Sequence, residues 1–405
     1  MLDKVKNKLT LENLLCLYVI LCPILDIVSF LFRNYFKTSF SPSTVLRPII
    51  PCVLFIILFF KEKNKKQKIL IALIYMVYSI IHLIIFQKLH NGSSYGTWKN
   101  EIQYIANYSL MIINLYLFYV LIKDKDKVQK SVFISLSIYV ASLFLSIITK
   151  TSSSTYLEGI GDKGYFESGN SLCTVLILAI CILLSNIDKK EWQKIILIIF
   201  TGIYLIVFSG MRTGLFGFSA VIVVFVIGKF LIAIRDKIRL SKKQILVISI
   251  GVILAIIATF LLGAKTLERR KFLKQNEMNN LDEETNSQRY VSGDVLNLYK
   301  QIEKGTLPEN YMSDSEKEAI VDLNQYAEKI KLSNVNLRAQ QLLYNVFLIK
   351  HQKSVILILF GNGYKNQIGE LVMEMEILAG ICNFGLIGFI LYFGPITVIL
   401  FVRII

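Results

Sequence analysis

Apolar runs of about twenty residues, each closed by a short polar break, repeat from near the start of the chain to its end. A hydrocarbon layer about 30 Å thick takes ~20 residues of helix to cross. On that measure residues 11–32, 43–60, 68–87 and 101–122 are predicted spanning helices, and 131–149, 169–185, 194–209, 214–234 and 244–263 continue the series. A tenth run, residues 384–402, comes only after a long gap, and the chain stops at Ile405 still in apolar sequence. That ending predicts either further helices in a longer natural protein or a fragment. The expected class is all-α, a polytopic integral membrane protein of about ten helices. Its predicted layout is a nine-helix transmembrane domain over residues 1–263, a large loop over 264–383 that contains helices, and a tenth helix over 384–405.

The large loop is too long to be an idle connection. Ser313-Asp-Ser-Glu316 has the form of a capping box and predicts a polar helix to about Lys331. An amphipathic helix is predicted over about residues 336–352. The apolar run of Ser354-Val-Ile-Leu-Ile-Leu-Phe-Gly-Asn-Gly-Tyr364 is too short to span and should pack on the membrane domain. Residues 269–309 are polar with little apolar periodicity, and predict a mobile connection.

Composition agrees with the pattern. With 54% hydrophobic and 18% charged residues, the chain is too apolar for a soluble domain. Lys and Arg collect in residues 61–68, 123–130, 188–194 and 229–243, alternating with loops that carry far less positive charge, so these loops and the N-terminus with Lys4, Lys6 and Lys8 are expected to be cytoplasmic. Residues 264–376 hold 15 Lys+Arg against 16 Asp+Glu, which leaves 30 and 13 of the chain's 45 and 29 for everything else. The net charge of +16 is therefore a topology signal, and without an aromatic-interleaved basic surface it does not argue for nucleic acid. The first apolar run is long and lacks a small-residue cleavage site, so it reads as a span and not as a cleaved leader. Six cysteines (16, 22, 52, 173, 181 and 382) lie in or next to apolar runs without metal-ligand clustering, and read as buried small hydrophobes. No metal and no cofactor are expected.

This topology gathers three segments on the outer face: residues 150–170, the turn Ser209-Gly-Met-Arg-Thr-Gly214, and the large loop. Arg212 is a lone permanent cation between two apolar runs, a costly placement. The helix that begins beside it starts at the outer boundary, where unpaired N–H groups and a partial positive charge suit an anion such as a diphosphate. Gly210, Gly214 and Gly217 leave room for close approach of backbone or ligand. A boundary arginine also commonly reaches out to lipid phosphate, and position alone leaves both readings open. Arg338, among Leu337, Leu342 and Leu343, is a second candidate cation or a solvated face charge. In Gly369-Glu-Leu-Val-Met-Glu-Met-Glu-Ile-Leu-Ala-Gly-Ile-Cys-Asn-Phe-Gly385, helical spacing would put Glu370 and Glu374 on one face and Glu376 nearly opposite. A carboxylate there can serve as general base toward a sugar hydroxyl, or sit on an ordinary wet helix face.

Ser209-Gly-Met-Arg-Thr-Gly-Leu-Phe-Gly217, Gly164-Tyr-Phe-Glu-Ser-Gly-Asn170, Leu359-Phe-Gly-Asn-Gly363 and Glu374-Met-Glu376, with Asn383-Phe-Gly-Leu-Ile-Gly-Phe-Ile-Leu-Tyr-Phe393 after it, resemble the O-antigen ligase/polymerase family, in the variant of Gram-positive capsule and exopolysaccharide clusters. The resemblance runs from about residue 160 to the end. It implies a membrane-embedded glycosyltransferase that takes glycan from undecaprenyl diphosphate at the outer leaflet, without a metal. The family's two arginines fall on Arg212 and Arg338, which would bind the diphosphate and stabilise its charge as it leaves. Ligases of the family resemble His-Asn where this chain has Glu374-Met-Glu376, and none of its histidines (82, 90 and 351) falls there. The Gram-positive variants resemble Glu-x-Asp, which favours Glu374 as base or acceptor-orienting group and a polymerase of repeat units over a ligase. Tyr165, Asn170, Glu370 and Glu376 complete the expected substrate contacts. The implied partners are undecaprenyl-diphosphate-linked oligosaccharide, membrane lipids, and a flippase and chain-length regulator of the same pathway, with the active site on the outside of the cytoplasmic membrane. A lipid-linked saccharide flippase is the reading from another class, disfavoured because no paired internal repeats are evident and one outer loop is so long.

Overall fold

The computed structural model describes residues 10–404 except 39, 62–64, 90–97, 157–158, 186–190, 236–263, 279–289, 309–310, 335, 365–370 and 372–375. In chain order the helices are α1 (Leu11–Asn34), α2 (Pro42–Lys61), α3 (Lys65–Leu89), α4 (Trp98–Leu121) and α5 (Lys125–Ile148). A two-stranded antiparallel hairpin, β1 (Ser153–Ser154) and β2 (Asp162–Gly164), precedes α6 (Gly169–Ser185). Then come α7 (Trp192–Ile203), a π-helical turn (Tyr204–Phe208), α8 (Arg212–Arg235) and α9 (Ala264–Met278). The series ends with α10 (Gly293–Glu303), α11 (Asp314–Lys329), α12 (Leu337–Gln352), α13 (Val355–Phe360) and α14 (Glu376–Ile404).

Seven described helices are long and apolar enough to cross a membrane, namely α1 to α5, α8 and α14. The apolar α6 and the stretch from α7 through its π-turn are shorter. The predicted span at 244–263 lies outside the described residues. Ile71, Ile74, Ile80 and Ile84 of α3 are about half exposed, as they should be where lipid is the solvent. The same physics corrects the cysteine reading. Only Cys173 is buried, while Cys181 is exposed and the other four are partly so, because an apolar residue in a spanning helix can face hydrocarbon as readily as protein.

The chain forms two compact units. The first comprises residues 1–54 and 117–272. Lipid removes most of the hydrophobic drive for helix association, so close packing of small residues has to supply it. On α5, Ser131, Ser135, Ser142 and Ser146 form one buried stripe. Each of Ser131, Ser142 and Ser146 returns its hydroxyl to a carbonyl of its own helix, which satisfies these three groups. Leu136, Leu143, Leu172, Leu176, Ile180 and Leu205 fill the core between α5, α6 and the end of α7. An ion pair ties α1 to α2: Arg47 donates to Asp26 at 2.5 Å, and Tyr139 of α5 donates to the same carboxylate oxygen at 3.2 Å.

The second unit comprises residues 55–116 and 273–405. It includes a small helical core in which Val291, Val295, Ile320, Leu323, Tyr344 and Leu348 bring α10, α11 and α12 together. The capping box is present, with the Glu316 carboxylate accepting from Ser313 N–H at 2.7 Å, and α11 ends within two residues of its predicted end. The described residues of the polar stretch 269–309 form more helix than their pattern predicts. They include most of α9 and all of α10, and α10 is held by only two or three apolar residues, too few for a periodic signal. The short run before Gly361 is the six-residue α13, packed on α14 within this unit.

Candidate functional site

The first unit brings two of the marked segments side by side. At the end of α7 the helix widens into the π-turn, where Ser209 N–H donates to Tyr204 O at 3.0 Å, five residues back. Such one-residue insertions recur at functional sites because they rotate the next turn of backbone and re-aim its side chains. Ser209 Oγ then donates to Leu205 O (2.8 Å) and accepts from Met211 N–H (3.2 Å), which turns the chain sharply into α8. Gly210 takes φ +66° in this turn, and its place requires glycine twice over. A Cβ on it would lie 3.0 Å from Gly161 Cα, and one on Gly161 would lie 2.5 Å from Ser209 O. Thr155 Oγ1 donates to Ser209 O (2.9 Å) and Tyr204 OH to Asp162 O (2.7 Å), so the hairpin sits directly on the turn.

The glycines of the turn therefore serve protein contact and not ligand access, contrary to one of the two readings of the sequence. Gly214 packs on Ser209, Cys173 and Leu205, and Gly217 on Ile177. What stays open is the rim. Arg212 and Thr213 open α8 and are exposed, as is Asn170 in the first turn of α6. Thr213 Oγ1 donates to Asn170 Oδ1 at 3.3 Å, so the N-termini of two apolar helices lie together, each contributing partial positive charge.

The first turns of α9 add groups that sequence reasoning missed. The Arg269 guanidinium lies 3.1 Å over the Tyr156 ring, and Lys265 pairs with Asp162. Burial pushes the Tyr156 phenol up, while Arg269 and then Arg212 pull it back. Arg269 Nε is buried with no hydrogen-bond partner among the described residues. The arrangement is cationic and rich in donors, and it is suited to a multiply charged anion. Among the described residues, no group of three or more His, Cys, Asp or Glu could hold a metal.

The other predicted residues are distributed as follows. Tyr165 is engaged in holding the loop, its hydroxyl 2.7 Å from Thr151 Oγ1 and its ring 5.5 Å from that of Phe30. Arg338 is the exposed second residue of α12, in the second unit. Glu370 and Glu374 lie outside the described residues, and Glu376 begins α14 with its side chain also outside them. The second unit joins the two remaining motifs to each other. Asn362 N–H and Gly363 N–H donate to Cys382 O and Asn383 O, both at 2.9 Å. Gly361 (φ +82°) and the α14 kink at Gly385 (φ +67°) touch backbone to backbone, where any Cβ would collide. Beneath this turn lie His82 and Glu101, a buried pair that no motif marked.

The family model for O-antigen ligase like membrane proteins matches residues 6–405. The chain belongs to this family. Membership carries a glycosyltransferase-like activity, membrane-embedded glycan transfer, and the many apolar helices give the membrane location. No curated protein and no solved structure matches the chain.

Proposed function

We propose that this family member is a polymerase of cell-surface polysaccharide, which transfers undecaprenyl-diphosphate-linked repeat units at the outer face of the cytoplasmic membrane. The observation that carries the reading is the pairing of the α6 and α8 N-termini beside Arg212, with Arg269 laid over Tyr156 in the hairpin that packs on the same turn. In the reaction a sugar hydroxyl of the acceptor attacks the anomeric carbon of the donor. The bond from that carbon to the diphosphate oxygen breaks, and its electron pair leaves on the diphosphate. Arg212 and Arg269 stabilise that charge with paired, charge-assisted hydrogen bonds, without calling on a metal. Arg338 is proposed as a further cation from the large loop, and Glu374 as the base that takes the hydroxyl proton. The Lys+Arg-rich loops at 61–68, 123–130 and 229–243 support a cytoplasmic N-terminus and an outward site.

Glu374-Met-Glu376 in place of His-Asn favours polymerase over ligase. The test is to incubate the purified full chain with undecaprenyl-diphosphate-linked repeat units and resolve the products on a gel. A ladder of lengths supports polymerase. One added block on a separate acceptor means ligase, and vesicle transport without any extension means flippase.

A further inference from the structure

The second unit buries two ionisable groups that the reaction above does not use. His82 of α3 and Glu101 of α4 are both 0% exposed. Such groups are expensive in membrane-embedded helices unless they are fully paired. These two are. His82 Nε2 lies 2.7 Å from Glu101 Oε1, and each residue also grips one end of the same turn. His82 Nδ1 lies 2.7 Å from Phe360 O, and Glu101 Oε2 accepts Tyr364 N–H at 2.6 Å.

The proton count is set by the partners. Phe360 O can only accept, so Nδ1 carries a hydrogen, and a second hydrogen lies between Nε2 and Oε1. Written as imidazolium with carboxylate or as imidazole with carboxylic acid, the pair is neutral overall, which is why its burial is tolerated. The rings of Tyr78 and Phe384 enclose His82 at 5.7 and 5.6 Å. Tyr104 stacks on Tyr364 at 4.5 Å and accepts from Asn383 Nδ2 at 2.9 Å. The turn Gly361-Asn362-Gly363 is thereby joined to α3, α4 and α14 at once.

We propose that His82 and Glu101 are positioning residues, which by gripping both ends of the Gly361–Gly363 turn hold it against α14, the two elements that bracket the acidic segment Glu370–Glu376 in the sequence. The proposal rests on the reading of that segment as the source of the base. Reach, not charge, is the property it requires. Gln at position 101 can reproduce every bond: its carbonyl accepts Tyr364 N–H, its amide donates to His82 Nε2, and His82 Nδ1–H still donates to Phe360 O. Asp keeps the charge but is one methylene too short to grip both partners.

The test uses the full chain as wild type, Glu101→Gln, Glu101→Asp and Glu101→Leu. It reads kcat and KM for undecaprenyl-diphosphate-linked repeat units, hydrogen exchange of the amides from Phe360 to Tyr364, and melting in detergent. Glu101→Gln should keep kcat within about threefold. Glu101→Asp and Glu101→Leu should lose about tenfold to a hundredfold in kcat, the scale of an ångström's misplacement, with KM nearly unchanged and faster exchange in the turn. An active Glu101→Asp beside an inactive Glu101→Gln would overturn the proposal, as would unchanged exchange in Glu101→Asp. Should Glu101→Leu fail to fold, the Gln and Asp pair still decides. Should the wild type not transfer glycan at all, the polymerase reading fails while the exchange data still judge the clamp.

Discussion

Arg212 stands at the first position of α8, exposed and next to the α6 N-terminus, where a guanidinium raises the local positive potential unless an anion is nearby. Arg269 of α9 lies over the ring of Tyr156, in the hairpin that packs on the turn before α8. If both stabilise the leaving diphosphate, Arg212→Ala and Arg269→Ala should each slow transfer by about 10² to 10³ in initial rate, with the protein still inserted. Arg212→Lys should fall between, since an ammonium cannot bridge two phosphate oxygens in a planar fork. Gly210→Ala should also be severely impaired, because φ +66° and the contact with Gly161 both reject a side chain, and its melting point in detergent should drop with the activity. Arg212 was legible in the sequence because it interrupts apolar runs. Arg269 was not, since it stands in the polar string Glu268-Arg-Arg-Lys271 and only the fold lays it over Tyr156. His82 and Glu101 were hidden differently, the first a lone polar residue within an apolar run and the second one of several polar residues that open α4, with no spacing to pair them.

Among the elements, α1, α2 and α5 depend on the Asp26–Arg47 pair with Tyr139. Removing one partner leaves a partly buried charge without its counterpart. Asp26→Leu or Arg47→Leu should therefore destabilise by ~1–3 kcal/mol, while the double change should melt nearer the wild type. Glu316 was predictable as a helix cap because the box is local in sequence, and α11 begins from it. The α10 helix escaped notice because its stability comes from packing with α11 and α12, which no short window shows. Between α11 and α12, Asp322 accepts from Lys350 at 3.0 Å and sits 2.9 Å from His351. Burial pushes Asp322 up, but the hydrogen bonds from Lys350 and His351 outweigh it and hold the carboxyl below its ordinary value. A carboxyl lowered on folding stabilises above its unfolded pKa, and that contribution fades as pH falls through the lower folded value. Melting of this region should lose stability below about pH 4, and Asp322→Asn should flatten that dependence.

At the scale of the molecule, apolar run length located seven described spanning helices and two shorter apolar ones, because a bilayer imposes one length on every span. The division into two units was not visible, since it joins residues 1–54 with 117–272 and cuts through α2, α4 and α9. Four short motifs nevertheless converge as two pairs, Gly164–Asn170 with Ser209–Gly217, and Leu359–Gly363 with Asn383–Gly385. The second pair meets through glycine backbone and the first through Thr213 on Asn170 and Met211 against Gly169, so their order along the chain carried structural information that no single motif held. The central claim is glycan transfer with departure of a diphosphate lipid assisted by Arg212. The most direct measurement tracks undecaprenyl diphosphate released per repeat unit added, for wild type and Arg212→Ala with the same lipid-linked donor. The account predicts one diphosphate lipid released for each unit joined, and a rate at least about a hundredfold lower in the variant. Chain growth without that release, or equal rates in the two proteins, would contradict it.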